Sequence, residues 1–315
     1  MNIREKLIML AQEGASYKDL ATTYHIWQME SGKKHESVCD GCHGAITIAD
    51  SIYPDSLRHL NKPPVVLFYE GNILLLNKMP KVAIVGTRKA TSYGMSVAEK
   101  LGYTLVNAGV PVVSGLARGI DVASQRYAAD RGLAIAVLGN GLDIYYPYKN
   151  KVIQDTIAEK GLLISEYPGE VRGTKWSYVA RNRIIAALSS LVIVVESPER
   201  GGSIHTAEFA MELGVPVAAV PGDIFRITSR GTNALIADGA MIITKPEDVL
   251  SMINVVAYTN DKHGLVDILR EHGGIMNISV LRGYYDSTGS LMKDIAYLEM
   301  KQIVKMEGSV VILIE

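Results

Sequence analysis

A chain of 315 residues, 48% hydrophobic and 21% charged, has the balance of a globular protein of two or three domains. Its formal net charge of −1 excludes a uniform cationic field, so a polyanionic partner has to be met by a local basic patch. No apolar run reaches membrane-spanning length, the N-terminus does not read as a signal peptide, and two cysteines exclude a disulfide framework, so a cytoplasmic protein with no membrane contact is expected.

Residues 1–62 form a weakly patterned lead-in, a small helical N-terminal region. Ile3, Leu7 and Leu10 mark one amphipathic helix, residues 17–24 a second, and residues 31–44 a polar loop. Within it, Cys39 and Cys42, near His35 and His43, have the spacing of half a zinc site. The sequence offers no second half, so they read as two ordinary thiols, and no metal or other cofactor is expected.

Pro63-Pro64 breaks the chain, and the apolar runs 65–68 and 73–76 around Gly71-Asn72 predict a small hairpin. From Lys81 strands and helices alternate. Strands are predicted at 82–85, 110–113, 133–138 and 162–165, and helices at 93–107, 120–130, 151–159 and 178–188. The stretch 191–222 organises the rest: a near-continuous apolar strand, a glycine turn, a helix with Ile204, Ala207, Ala210 and Met211 at helical spacing, and a second strand over 216–220. A short helix at 234–238 and a strand at 241–244 follow. This rhythm predicts an α/β domain over 63–255 with a doubly wound, mainly parallel sheet.

In such a sheet the strand exits share one edge, where ligands bind. The exits are Gly86-Thr87-Arg88, Ser114-Gly115, Gly139-Asn140-Gly141 and Gly201-Gly202-Ser203. Glycine turns ahead of helix N-termini suit an anion, because the backbone approaches closely and the first N–H groups point outward. Arg88, Arg118, Lys149, Lys175, Arg181 and Arg183 lie close to these exits, with Trp176 and Tyr178 among them. Cations neutralise phosphates and rings stack on any base, so this set predicts single-stranded nucleic acid as the ligand. Neither the G-x-x-x-x-G-K-[ST] loop nor the G-x-G-x-x-G turn is present, which weighs against nucleotide hydrolysis and hydride transfer. No Ser-His-Asp set or paired acid/base carboxylates emerge, so no catalytic residue is assigned.

After residue 252 the rhythm stops. Helices at 265–271, 278–285 and 290–301, then a hairpin around Glu307-Gly308-Ser309, predict a winged-helix domain over 262–315. Its third helix carries Lys293 and Lys301 but also Asp294 and Glu299, a mixture that argues against strong duplex binding.

The segments YPDSLRHLNKPPVVLFYEGN, VAIVGTRKATSYG, SGLARGIDVASQ, LGNGLDIYYP, SEYPGE, RNRIIAALS, VVESPERGGSIHTAEFA and GTNALIADGA, in this order from residue 53 to residue 240, resemble the DNA-processing protein A (DprA/Smf) family. The tail YLEMKQIVKMEGSVVILI resembles the winged-helix domain appended in many members. The resemblance implies an extended Rossmann domain whose basic pocket binds single-stranded DNA taken up in natural transformation, protection of that strand, help in loading RecA recombinase, and a homodimer that is not a catalyst. This chain departs from the family pattern at Ser124-Gln125, where alanine-histidine is usual, at Tyr178-Val179, where phenylalanine-proline is usual, and at Gly201-Gly202, often serine-glycine. The alternative is a nucleotide-binding enzyme or sensor of the lysine-decarboxylase-like Rossmann group, with Glu208 as its acid. That group's P-G-G-x-G-T-x-x-E pattern fits residues 198–206 poorly, and Glu208 reads as a solvent-facing helix residue.

Overall fold

The computed structural model describes residues 2–31, 43–253, 265–285, 287–300 and 303–314. The chain divides into two units, Met1–Val256 and Ala257–Glu315. His35, Cys39, Cys42 and Lys301 lie outside the described residues. Among those described, no helix is long and apolar enough to cross a membrane.

The first unit runs α1 (Ile3–Gln12), α2 (Tyr17–Ser31), β1 (His43–Thr47), α3 (Asp55–Arg58), β2 (Val66–Gly71), a 3-10 turn (Ile73–Asn77), β3 (Val82–Val85), α4 (Ser92–Asn107), β4 (Val112–Ser114), α5 (Ile120–Asp130) and β5 (Ala134–Leu138). It continues with a 3-10 turn (Tyr148–Asn150), α6 (Lys151–Lys160), β6 (Leu162–Ser165), α7 (Lys175–Ala180), α8 (Asn182–Ala187), β7 (Leu191–Val194), α9 (Gly202–Glu212), β8 (Val217–Ala219), α10 (Ile227–Ala237), β9 (Met241–Ile242) and α11 (Asp248–Met252).

Among the described residues these strands form one sheet in the order β1-β2-β6-β5-β4-β3-β7-β8-β9. The two pairs involving β2 are antiparallel, and every pair from β6 to β9 is parallel. From β3 the chain winds outward through β4, β5 and β6, then returns to β7 on the other side of β3. The winding therefore reverses between β3 and β7, and the crevice beyond their C-terminal ends is the topological switch point. Helices cover both faces, which is why β3 is apolar throughout. Ala83 and Val85 join Leu7, Ile46, Ile185 and Ala207 on one side, while Val82 and Ile84 join Leu101, Leu105, Ile120 and Ile157 on the other. Full burial of a Leu or Ile contributes roughly 1.5–3 kcal/mol, so these faces hold the frame from which the loops project.

Several expectations change. The hairpin around Gly71-Asn72 is absent: β2 pairs with β1 and β6, and residues 73–77 turn as a 3-10 helix. The Asn72 side chain accepts from the Leu74 N–H, and Ile73, Leu75 and Leu76 are buried, so the apolar run fills the core as a turn. The N-terminal stretch is not helical throughout, because β1 adds an edge strand to the main sheet. The helix expected over 178–188 starts earlier and divides at Arg181 into α7 and α8, and α10 begins at Ile227 rather than 234.

The second unit holds α12 (Leu265–Glu271), β10 (Ile275–Asn277), α13 (Ile278–Leu281), a 3-10 turn (Arg282–Tyr284), α14 (Thr288–Met300), β11 (Val304–Glu307) and β12 (Val310–Leu313). Its strands pair antiparallel in the order β10-β12-β11 around a core that includes Leu269, Leu281, Leu291 and Val311. The acids of α14 serve the unit itself: Asp294 accepts from the Tyr285 hydroxyl at 2.9 Å, and Glu299 from the Met306 N–H at 3.0 Å.

Candidate functional site

The glycines at the strand exits first permit close packing. A side chain at Gly86 would run into Ile120 and the Glu196 carbonyl, one at Gly139 into the Tyr178 ring, and one at Gly115 into the Arg181 guanidinium. Gly141 meets the Gly169 carbonyl, and its N–H already donates to the Val171 carbonyl at 2.8 Å. Ser114 is buried, with its hydroxyl donating to the Ile84 carbonyl at 2.6 Å. So Ser114, Gly139 and Gly141 shape the edge, and none of them lines the cleft described next.

A cleft of about 1110 Å³ opens at the switch point. Its walls come from the β3 exit (Gly86, Thr87, Arg88, Lys89), the β4 exit (Ala117, Asp121), the β5 exit (Asp143 to Tyr148), the approach to α8 (Arg172, Lys175, Tyr178, Arg181) and the start of α9 (Gly201, Gly202, Ser203). A hollow of about 250 Å³ adjoins it, sharing Arg88, Tyr178 and Arg181 and adding Gly115 and Arg118.

At the cleft, Tyr178 is half-buried, its ring fitted against Gly139 and Gly173 and its hydroxyl donating to Asn140 Oδ1 at 3.3 Å. Burial raises its phenol pKa, with Tyr146 adding to the rise. The Tyr146 ring stacks on it at 5.2 Å between centroids, and the exposed Arg88 guanidinium lies 5.5 Å from its centroid. Beneath them Arg181 is 5% exposed, donating to the Val137 carbonyl and to Asn182 Oδ1. Burial lowers its pKa, and the carboxylate of Asp121 opposes that shift. Asn182 in turn donates to the Gly202 carbonyl at 3.1 Å, tying α8 to the start of α9. A side chain at Gly202 would meet open space, so the α9 N-terminus faces the cleft unobstructed.

The remaining candidates scatter. Lys175 lines the cleft and is exposed. Trp176 is 84% exposed and Lys149 is exposed, yet neither is part of the lining. Arg183 turns away: it forms a bidentate pair with Glu166, both contacts at 2.7 Å, beside a separate cavity of about 840 Å³. Glu208 sits half-exposed on α9, paired with His205 at 2.8 Å and outside the lining. Sequence reasoning passed over Tyr146, Lys89, Arg172 and Asp121. The signal for Tyr146 was present: Tyr145-Tyr146-Pro147-Tyr148 places three rings in four residues just after a glycine turn. Among the described residues no group of acidic, histidine and cysteine side chains is set to hold a metal.

The model of a family described as DNA recombination-mediator protein A matches residues 44–254. The DNA processing protein DprA of Streptococcus pneumoniae is 46% identical over 209 residues, which is 66% of this chain and 73% of that protein. The Bacillus subtilis DNA processing protein DprA is 41% identical over 205 residues, 65% of this chain and 69% of that protein. Among solved structures, the X-ray structure of the S. pneumoniae DNA processing protein A superposes with a TM-score of 0.64 at 35% identity, covering 79% of this chain and 93% of that one. The Helicobacter pylori DNA processing protein A, described for its single-stranded DNA binding mode, superposes with a TM-score of 0.61 at 32% identity over 67% of this chain and 95% of that one.

Proposed function

The chain belongs to the DNA recombination-mediator protein A family, and on that basis we propose that it binds single-stranded DNA in the switch-point cleft, protects the strand during natural transformation and helps load RecA recombinase on it. It does so as a homodimer and as a binding protein rather than an enzyme. The observation that carries this reading is the make-up of the cleft: Arg88, Lys89, Arg172, Lys175 and Arg181 line it together with the rings of Tyr146 and Tyr178. Cations at that density suit a phosphate backbone, and half-exposed rings suit unstacked bases, which a duplex keeps to itself. We read the second unit as a winged helix with a protein-contact role, because the acids on α14 dilute its positive charge.

The test is a salt titration of affinity for one oligonucleotide as single strand and as duplex. Tighter binding of the single strand, with little dependence on sequence, is expected. Equal affinity for the two forms would rule the reading out.

A further inference from the structure

Asp121 is a buried carboxylate in a cleft whose other charged lining residues are cations, apart from the exposed Asp143. It is 5% exposed and lies at the start of α5. Its Oδ2 accepts from the N–H groups of Gly115 at 3.2 Å and Ala117 at 3.4 Å. Arg181, from the α7–α8 junction, and Arg88, from the β3 exit, both favour its ionised form. Of the helices packed on α5, α4 carries Glu99 and Lys100 and α6 carries Glu159 and Lys160, all exposed, together with Lys151 paired to Asp155 at 3.0 Å. Among the described residues Arg181 donates to Val137 and Asn182, two of the five N–H donors a guanidinium carries. The two buried charges share the turn at Gly115, whose N–H donates to Asp121 and against which the Arg181 guanidinium packs, so each opposite charge favours the ionised form of the other without a direct ion pair. Burial raises the Asp121 carboxyl and lowers the Arg181 guanidinium, and each opposes the shift of its partner.

A phosphate brought against Arg88 and Arg181 adds a second negative charge close to Asp121. Two anions sharing a desolvated site disfavour joint ionisation, and a proton from solvent relieves the conflict. We propose that Asp121 is the positioning residue of this cleft and couples strand binding to protonation: ionised, it holds the turn at residues 115–117, against which the Arg181 guanidinium packs at Gly115, and it takes up one proton from solvent when phosphate engages Arg181. The neutral carboxyl keeps a carbonyl oxygen for the two backbone N–H groups, so the turn stays in place. The inference rests on the single-strand reading of the cleft. Its sign follows from linkage. The carboxyl has the higher pKa in the bound state, so affinity is greatest at low pH and falls as pH rises through the interval between the free and bound values.

The experiment measures anisotropy of a labelled oligothymidylate with the full chain at fixed salt. It spans about pH 5 to 8, where an unshifted aspartate, near pKa 3.9, is already ionised. Wild-type affinity should fall with rising pH by no more than about tenfold per unit, the limit for one proton. Asp121→Asn should bind with no pH slope, and more tightly than wild type at the upper end. His205→Asn, at an exposed residue of α9 outside the lining, should keep the wild-type slope. A flat wild-type profile overturns the coupling and leaves the single-strand reading standing, whereas no binding at any pH removes both. An Asn variant with the wild-type slope, or one that is folded yet binds at no pH, also overturns it. Should that variant fail to fold, calorimetry of the wild type in buffers of different ionisation enthalpy decides: net proton uptake is expected, and none overturns the proposal.

Discussion

Arg181, Asn182 and Arg183 are consecutive, and their side chains do three different things. Arg181 enters the floor of the cleft, Asn182 holds the start of α9, and Arg183 closes on Glu166 beside another cavity. Successive helical residues point about 100° apart, so one motif serves both faces of its element. Two substitutions separate these roles. Arg88→Ala, at an exposed side chain, should leave the melting temperature unchanged and reduce the salt slope of single-strand binding by about 0.7, the value for one phosphate contact. Arg183→Ala should do the reverse, because it strands a half-buried Glu166; a stability loss of roughly 3 kcal/mol with an unchanged salt slope is expected. Thermal unfolding and salt titration on both variants check the pair, and a salt slope altered by Arg183→Ala would place that residue on the strand after all. The stacked rings divide in the same manner. Tyr146 is 51% exposed, so Tyr146→Ala should weaken binding by about 1–3 kcal/mol with little change in melting temperature or salt dependence. Tyr178→Ala leaves an unfilled space against Gly139 and Gly173, and should lower both affinity and melting temperature, while Tyr178→Phe gives up only a 3.3 Å bond to Asn140 and should be nearly silent.

Elements were legible in the sequence where burial alone decides them. The apolar runs of β3, β5, β6 and β7 sit between two helical layers, and that burial leaves an uninterrupted hydrophobic signature. The 73–77 turn was not legible, because an apolar run after Gly-Asn suits a hairpin equally well until β6 takes the place beside β2. The glycine turns were found, but not their purpose. Spacing cannot distinguish a glycine that admits a ligand from one that admits a neighbouring side chain, and Gly86, Gly115 and Gly139 are of the second kind. At Gly202 an added side chain would meet open space, which gives a test at the scale of α9. A Cβ added at Gly202 has no atom within 4 Å, and an acid in the first turn, as in Gly202→Asp, favours the helix by about 0.3–1 kcal/mol. The variant should therefore melt at the wild-type temperature or slightly above it. If phosphate approaches this helix end, the same carboxylate repels it, and single-strand affinity should fall by about tenfold, on the order of 1 kcal/mol of like-charge repulsion at a partly exposed site. Unchanged affinity in the folded variant would mean that the strand runs along the Arg88 wall without reaching α9.

At the scale of the molecule, everything assigned to the cleft comes from residues 85–206, within the first unit. The second unit has its own apolar core and its own three-stranded sheet. A chain ended after Val256 should then keep its fold, since no strand of the large sheet and no residue of its two apolar clusters is removed. The acids of α14 are engaged inside their own unit, and an electrostatic contribution of that unit to DNA would have to come from basic residues such as Arg282 and Lys293 against Asp294 and Glu299. If the cleft supplies the phosphate contacts, truncation should alter single-strand affinity by less than about threefold and leave the salt slope unchanged, because the slope counts neutralised phosphates. Heat-scanning of the truncated chain and a salt titration beside the full chain check both halves of the expectation. A folded truncation whose salt slope drops by more than about one unit would show that the second unit holds part of the strand, and the winged-helix reading would then shift from a protein contact to a DNA contact.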